Sequence, residues 1–259
     1  MENQALKEIE IFWEKHLCGS HFVANEKFTP EFFQNYHNYR YNKEHHLLKI
    51  VPWESAEGKD VLEIGLGIGA DSIKWAMYAK SFTGIDLTLE SVKATREHLQ
   101  LMGMAGVIMQ GNAEQLSFLD ESFDIVYSHG VLHHTSDIDK AFSEIYRVLR
   151  PGGQFIIMLY TPASFNYWFR IQVYFRLRFL YELLKNKFGL RNNELWKLHI
   201  QNFKSMRWKY YSWKEFPHHC TDGPKCPIAN IYYKKEVLRK LNAKGLKVNK
   251  TIKAHFPVF

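Results

Sequence analysis

The chain has 259 residues, of which 46% are hydrophobic and 24% charged, proportions that are typical of a globular protein and exclude a disordered one. No run approaches the roughly 18 apolar residues that span a bilayer, and we expect no signal peptide because the N-terminal segment carries early acidic residues. Three cysteines (Cys18, Cys220 and Cys226) do not suggest a disulfide framework, so we expect a reducing, cytoplasmic setting.

The net charge of +7 is unevenly distributed. Residues 1–150 contain 14 basic and 22 acidic side chains, a net charge of −8, whereas residues 151–259 contain 20 basic and 5 acidic ones, a net charge of +15. A strongly basic half is typical of proteins that bind nucleic acid, an anionic membrane or an acidic substrate. A solvated basic face that offsets the acidic half explains the same numbers.

Two helices are predicted ahead of the main domain. Residues 3–17 place apolar side chains on one helical face, and Thr29-Pro30-Glu31 is a helix start with proline in the first turn. The second helix is rich in aromatic and basic residues. We assign residues 1–57 to an N-terminal helical lid.

From residue 58 onward, short apolar runs alternate with helical patterns, which predicts an α/β fold with a doubly wound, mostly parallel sheet. The predicted strands span residues 60–64, 81–86, 106–110, 123–128 and 154–159. The predicted helices between them span residues 69–79, 88–102 and 137–149. Residues 58–161 form the predicted core.

After this core the pattern changes. Apolar residues at helical spacing predict a helix over residues 164–188, and a polar, aromatic segment follows. A helix over 233–243 and a strand over 246–253 are predicted at the end. We therefore predict an insertion over residues 162–231, and a return to the core over residues 232–259.

The stretch 61–72 reads VLEIGLGIGADS, an apolar strand that runs into Gly65, Gly67 and Gly69 just before a helix. Such a turn lets backbone N–H groups approach a nucleotide closely, and alone it also fits the dinucleotide NAD. Glu63 lies just ahead of the glycines, where it would disfavour a bound pyrophosphate. NAD is the weaker interpretation, since no Tyr-x-x-x-Lys proton-transfer pair is evident either.

Ligands of open parallel sheets bind at the carboxyl ends of the strands. The second strand ends in Asp86, about 20 residues past the glycines, where a carboxylate accepts both ribose hydroxyls; capping of the next helix is the alternative. The third strand is followed by Asn112 and Ala113, which offer an amide and an N–H to an adenine edge. The fourth strand ends among further polar side chains: Tyr127, Ser128, His129, His133 and His134.

Together these strand ends resemble the class I S-adenosylmethionine-dependent methyltransferases. The matching stretches, VLEIGLGIGADS, FTGIDLT, GNAEQLSF, FDIVYSHGVLHHT and RVLRPGG, cover about residues 58–160. The resemblance is closest to the small-molecule branch that includes the quinone-biosynthesis methyltransferases. It implies a cofactor site for S-adenosyl-L-methionine formed by Glu63, Gly65, Gly67, Gly69, Asp86, Leu87, Asn112 and Ala113, with Ser128 or His129 near the sulfonium.

Methyl transfer from a sulfonium is an in-line displacement, so the protein mainly has to hold the reacting atoms in line. A general base is needed only where the acceptor is protonated. His129, His133 and Tyr127 are the predicted catalytic residues, and His134 lies beside them. Packing beneath the pocket is the alternative for each histidine.

Other groups of residues indicate a function less specifically. His218, His219 and Cys220 with Cys226 have the composition of a zinc site but not its paired spacing, so we predict a loop over the pocket and no metal. Cys18 is interpreted as a small packed residue rather than a nucleophile. Tyr36, Arg40 and Tyr41 are predicted to form either a lid on the cofactor carboxylate, which adds Tyr41 to the cofactor site, or ordinary packing.

The helix over 164–188 has several interpretations: a lid on the acceptor pocket, a membrane-surface anchor or a dimer contact. Nucleic-acid binding is suggested by charge alone, without a known module. The resembled family usually closes its sheet with a hairpin of two more strands, for which the C-terminal segment is short. That departure from the family pattern concerns the acceptor side of the site, not the cofactor side.

We predict an S-adenosylmethionine-dependent enzyme that methylates an oxygen, nitrogen, sulfur or carbon atom of a small molecule, as a monomer or homodimer. Two alternatives remain open at this point. One is methyl transfer to RNA or a membrane lipid through the basic half of the chain. The other is a regulator that binds the cofactor without catalysis.

Overall fold

The computed structural model describes residues 2–254 and contains a central sheet of five strands. The strands are β1 (Asp60–Ile64), β2 (Ser81–Asp86), β3 (Val107–Gln110), β4 (Phe123–His129) and β5 (Leu149–Met158). They pair in parallel in the order β3-β2-β1-β4-β5, which confirms the predicted fold class. Because the strand order changes direction between β1 and β4, their carboxyl ends border the crevice where ligands of such sheets bind.

Helices surround this sheet and continue after it. They are α1 (Glu2–Lys15), α2 (Pro30–Lys43), α3 (Leu47–Ile50), α4 (Ala70–Tyr78), α5 (Leu89–Leu101), α6 (Ile138–Val148), α7 (Arg176–Lys187), α8 (Glu194–Met206), α9 (Glu215–Thr221) and α10 (Lys234–Ala243). A π-helix, Asn166–Phe175, runs directly into α7. The predicted start of α2 is confirmed, since Pro30 is its first residue and the Thr29 hydroxyl accepts a hydrogen bond from the Phe32 N–H.

The two faces of β1 are packed against different helices. Val61 lies in a core with Trp75 of α4 and the aromatic side chains of α2, whereas Leu62 lies in a core with Phe142 of α6 and Leu241 of α10. Glu63 has the same side-chain direction as Val61, because side chains alternate along a strand. The N-terminal helices and the glycine turn therefore share one face of the sheet.

The segment after β5 has a core of its own. Phe179 of α7 is fully buried among the side chains of α8 and α9 and the loop between them, namely Trp196, Ile200, Tyr210 and Phe216. The segment that the sequence marked only as polar and aromatic contains α8 and α9. The start of α8 was readable, since the Asn193 side chain accepts a hydrogen bond from the Trp196 N–H.

The strand predicted over residues 246–253 is wrong. These residues contain no strand in the structure, and no strand pairs with the outer edge of β5 in the described part of the chain. Val248 and Ile252 suggested a strand, but a strand persists only where a neighbour satisfies its backbone groups. Any short return strand would fall on residues 255–259, which lie outside the described residues.

Among the described helices, none combines the length and the apolar composition that crossing a membrane requires.

Candidate functional site

The glycine turn follows β1 directly and depends on left-handed backbone conformations. Gly65 has φ +84°, and a Cβ added there would lie 2.1 Å from Cγ2 of Val131. Gly67 has φ +56°, and a Cβ there would meet nothing closer than Cys18 Cβ, at 3.8 Å. Gly65 is thus required by packing, whereas Gly67 leaves open space beside the turn.

A cavity lies beside this turn, under α1 and α2. Its volume is about 150 Å³, and Leu6, Ile9 and Trp13 of α1 cover one side. Most of the predicted cofactor residues line it: Glu63, Gly65, Gly67, Asp86, Leu87, Asn112 and Ala113. His129 lines it as well, and so do Tyr36 and Arg40 of the predicted lid.

Five predicted residues do not line this cavity. Gly69 caps α4 and packs against Thr95, and the Ser128 hydroxyl donates to the carbonyl of Ile64. His133 is fully buried. The hydroxyls of Tyr41 and Tyr127 both donate to the carboxylate of Asp71, at 3.0 and 2.8 Å. Tyr127 lines a second, wider cavity described below, and the other four residues support the walls of the site.

Asp86 connects the end of β2 to the glycine turn. Its Oδ2 accepts from the backbone N–H groups of Leu66, at 2.8 Å, and Gly67, at 3.3 Å. Its Oδ1 accepts from the N–H and the hydroxyl of Thr88, which itself caps α5. Burial raises the pKa of Asp86, and these four hydrogen bonds counteract that shift. A carboxylate has about four lone-pair positions, and these four hydrogen bonds use them. A ribose hydroxyl would therefore have to replace or share one of these bonds, of which the one from the Gly67 N–H is the longest.

The side chains of Glu63 and Asn112 are also held in place by hydrogen bonds within the protein. The Ser72 hydroxyl donates to Oε2 of Glu63 at 2.6 Å, and burial together with the nearby Asp71 raises the pKa of Glu63 well above its usual value. Oδ1 of Asn112 accepts from the Glu114 N–H, which leaves its amide N–H₂ group available as a donor. Both side chains are therefore positioned before any ligand binds.

A buried ion-pair cluster connects α2 to the start of α4. Arg40 donates to Asp71, with Nη2 2.6 Å from Oδ2, and to Glu44, with Nη1 2.5 Å from Oε1. Burial alone would raise the pKa of Asp71, but Arg40 lowers it to about 2. Burial raises the pKa of Glu44 to about 7. Asp71 and Glu44 were not predicted from the sequence, because charged residues in and beside helices usually face solvent.

His129 belongs to this cluster. Arg40 Nη2 donates to its Nδ1 at 3.1 Å, and its Nε2 lies 3.4 Å from Glu44 Oε2. Since arginine is only a donor, Nδ1 carries no proton. Burial and the charge of Arg40 lower the pKa of His129 to about 3, so the ring is neutral.

A second polar cluster follows β4. His134 lines the cavity, and its Nδ1 lies 2.6 Å from the carbonyl oxygen of Ile228. A carbonyl only accepts, so Nδ1 carries the proton and Nε2 keeps its lone pair. That Nε2 lies 3.9 Å from Oδ2 of Asp222, whose Oδ1 accepts from the Tyr160 hydroxyl. Burial lowers the pKa of His134.

Two groups among the described residues have the composition and spacing of metal ligands. They are Glu44 with His46 and His129, and His133 with His134 and Asp222. The residues considered in the sequence do not form such a group. His218 instead bonds the backbone around Pro227 and Ala229, and His219 stacks on Tyr210.

A wider, open cavity adjoins the first one and extends from the insertion along β5 to Asp124 and Arg150. Tyr160 and Asp222 line the wider cavity, and the residues that line both are Trp13, Cys18, Tyr36, Arg40, His129 and Gly130. The exposed surface of Cys18 borders both cavities, so the prediction that it is a packed residue is wrong. Burial raises the pKa of its thiol to about 11, which keeps the sulfur protonated and unreactive at neutral pH.

Comparison with known proteins agrees with this geometry. Residues 62–157 match the family model of the methyltransferase domain. The uncharacterised methyltransferase YcgJ of Bacillus subtilis is 38% identical over 106 residues, which are 40% of this chain and 42% of YcgJ. The phthiotriol/phenolphthiotriol dimycocerosates methyltransferase of Mycobacterium tuberculosis is 39% identical over 100 residues, 38% of this chain and 36% of the relative.

A solved structure of similar fold is that of a Bacillus halodurans C-125 protein described as a methyltransferase. It aligns with 78% of this chain and 67% of its own, at a TM-score of 0.50 and 21% identity. The chain spans about two fifths of the length of the curated relatives named above. The similarity to quinone-biosynthesis enzymes stays a prediction. Over residues 62–157 the chain is a methyltransferase domain of the class I S-adenosylmethionine-dependent type.

Proposed function

We propose that the whole chain transfers the methyl group of S-adenosylmethionine to a small molecule held in the wider cavity. The observation that carries this proposal is the pair of adjoining cavities, which share Cys18, Tyr36, His129 and Gly130. In-line displacement needs a donor pocket and an acceptor pocket that meet at one point. The residues shared by both cavities mark that point.

Several features of the first cavity fit the cofactor. The open space beside Gly67 accommodates a group packed against the turn. Asp86 lies at the end of β2, where a ribose hydroxyl would replace or share its longest hydrogen bond, the 3.3 Å bond from the Gly67 N–H, and Asn112 has an amide for an adenine edge. When bound, S-adenosylmethionine supplies a methyl group on a positively charged sulfur. The chain's own residues then orient the acceptor and shield the reacting atoms from water.

His134 is the residue we propose as general base for an acceptor that must lose a proton. Its Nε2 lies 3.9 Å from Oδ2 of Asp222, a distance at which the carboxylate would stabilise the imidazolium after proton uptake. His129 fits this role less well than we predicted, because its Nδ1 already accepts from Arg40. The Tyr127 hydroxyl donates a hydrogen bond to Asp71, and His133 is fully buried and lines neither cavity.

We propose the division into a lid (1–57), core (58–161), insertion (162–231) and return (232–259) as a functional one. The lid contributes α1 and α2 to the donor cavity. The insertion contributes Asp222 to the acceptor side. The acceptor would therefore be selected by the segment that lies outside the matched methyltransferase domain.

Calorimetry with S-adenosylhomocysteine tests the donor site. We expect 1:1 binding, and we expect Asp86→Asn to weaken it about tenfold, the effect of losing charge-assisted hydrogen bonds. Asp120→Asn is the matched control, because the Asp120 side chain is 74% exposed, on the surface. Absence of binding to the unmodified chain would refute the proposal.

A metabolite screen that records S-adenosylhomocysteine release tests catalysis. Release that depends on one acceptor supports the enzyme. Cofactor binding without release from any acceptor class, including RNA and lipids, would instead favour the non-catalytic regulator.

A second candidate is an acceptor that resides in a membrane. Exposed apolar side chains along the helix before α8 favour it, as does the methylation of dimycocerosates named for the Mycobacterium tuberculosis relative. Adding lipid extracts to the same screen distinguishes the two candidates.

A further inference from the structure

The helix formed by residues 166–187 is apolar on two sides, although only one side is covered by protein. On the covered side, Ile171 is buried, Phe179 packs against α8, α9 and the loop between them, and Glu182 is buried beside Asn192, which precedes α8. On the other side, large apolar residues recur every three or four positions and remain exposed. This outer stripe consists of Phe165, Phe169, Val173, Leu177, Tyr181, Leu184 and Phe188.

The outer stripe is a continuous apolar surface, larger than the single exposed apolar residues that are common on globular proteins. Leu177 is 63% exposed and Phe188 is 74% exposed, and Phe165 stacks on Phe169 in the open. Contiguous exposed apolar surface of this kind marks a contact with a protein or a membrane. Trp168 lies beside Trp213, with ring centroids 6.3 Å apart, and tryptophan is enriched at membrane–water interfaces.

Basic residues accompany the stripe. Arg170, Lys187 and Arg191 have no carboxylate within ion-pair distance in the described part of the chain. Arg170 lies over the Phe175 ring and also lines the wider cavity. The acidic residue of the helix, Glu182, is buried and neutralised by Arg178 and Lys185. The surface around the stripe is therefore positively charged.

Arg176 is different from these surface cations. It is buried, and it donates to the backbone carbonyls of Tyr211 at 2.6 Å and Ser212 at 2.8 Å. It attaches the helix to the loop before α9, within the insertion, and is therefore unavailable to an external partner.

We infer that the outer stripe of helix 166–187 binds the surface of an anionic lipid bilayer. A helix with an apolar face and flanking cations lies in the bilayer interface, with the apolar side chains among the acyl chains and the cations at the headgroups. A second copy of this chain fits less well, because a twofold interface would bring the cations of one stripe onto those of the other. RNA fits less well because Val173, Leu177 and Leu184 cannot stack on bases as aromatic rings do.

Vesicle flotation tests this inference on the full chain without cofactor, so its result does not depend on methyl transfer. We expect binding to vesicles of equal parts phosphatidylcholine and phosphatidylglycerol, and little binding to phosphatidylcholine alone. Leu177→Glu should lower the partition coefficient at least tenfold, and Arg170→Gln should lower it about fivefold. Salt at about 1 M, where the screening length is about 3 Å, should weaken binding similarly.

Leu119→Glu is the matched control for Leu177→Glu, because Leu119 is a more exposed apolar residue in the core domain. Lys80→Gln is the control for Arg170→Gln, and both controls should bind vesicles like the unmodified chain. Far-ultraviolet circular dichroism shows that each variant is folded. Equal loss in Leu119→Glu and Leu177→Glu overturns the inference. A dimer that Leu177→Glu dissociates, or RNA binding without vesicle binding, overturns it as well.

Discussion

The guanidinium of Arg40 and the carboxylate of Asp71 form a buried ion pair, with Nη2 2.6 Å from Oδ2 and Nε 3.4 Å from Oδ1. This pair joins α2 to the first turn of α4, immediately after the glycine turn. Tyr41 and Tyr127 donate to the same carboxylate. The lid and the donor site are therefore connected through one side chain, Asp71.

Asp71→Asn should destabilise the chain by about 3–5 kcal/mol, because it leaves Arg40 buried without its full counter-charge. Urea unfolding measures the change. Glu194→Gln, which breaks the exposed surface pair with Lys197, should change the free energy of unfolding far less. Equal costs for the two variants would show that the buried pair is not essential.

Glu44 should make the free energy of unfolding depend on pH in the opposite sense to a carboxylate whose pKa is lowered on folding. Its pKa is 4.5 in its ordinary state and about 7 in the folded chain, because of burial. Between these values the folded state holds a proton that the unfolded state has lost, so this stabilising contribution is present below pH 4.5 and is lost as the pH rises to 7.

Glu44→Gln keeps an acceptor for Arg40 and removes this titration. Urea unfolding between pH 5 and pH 8 should therefore show a flatter pH profile, with a gain in stability at pH 8 relative to the unmodified chain. Glu8→Gln on α1 is an exposed control that should leave the profile unchanged. A profile as steep in Glu44→Gln as in the unmodified chain would contradict the assignment.

The sequence predicted the sheet because its signals are local. Short apolar runs, glycine turns and capping residues such as Thr29 each depend on a few neighbouring positions. The positions of Glu63, Asp86 and Asn112 at the cavity followed from one rule about strand ends, without any knowledge of packing.

The parts that sequence reasoning missed depend on long-range contacts. Asp71 meets Arg40 from 31 positions away, and Asp222 meets His134 from 88 positions away, so no local pattern relates them. We predicted a catalytic role for His129 without knowing of this cluster, in which its Nδ1 already accepts a hydrogen bond from Arg40. The strand over 246–253 failed for the same kind of reason, because it required a partner.

The two glycines of the turn should respond differently to the same substitution. Gly65→Ala should destabilise the fold by about 1–3 kcal/mol, because φ is +84° and the added Cβ would collide with Val131. Gly67→Ala also has a positive φ but meets open space, so it should cost less and instead weaken S-adenosylhomocysteine binding about tenfold, by filling the cavity. Thermal unfolding and calorimetry measure the two effects. Adding Val131→Ala should partly restore the stability of Gly65→Ala, and identical behaviour of the two glycine variants would contradict this geometry.

His134 and His129 should differ once a protonated acceptor has been identified by screening. His134→Gln removes the Nε2 lone pair that we propose as the base, so kcat should fall about 100-fold or more. The acidic limb of the kcat profile should also disappear, because it reports the protonation of that base. His129→Gln retains a side-chain oxygen as acceptor for Arg40, so the limb should persist with a smaller loss of rate. His45→Gln, at an exposed position on the lid, is the control for substitution itself. A limb that persists in His134→Gln but vanishes in His129→Gln would return the role to His129, against the hydrogen bond that occupies its Nδ1.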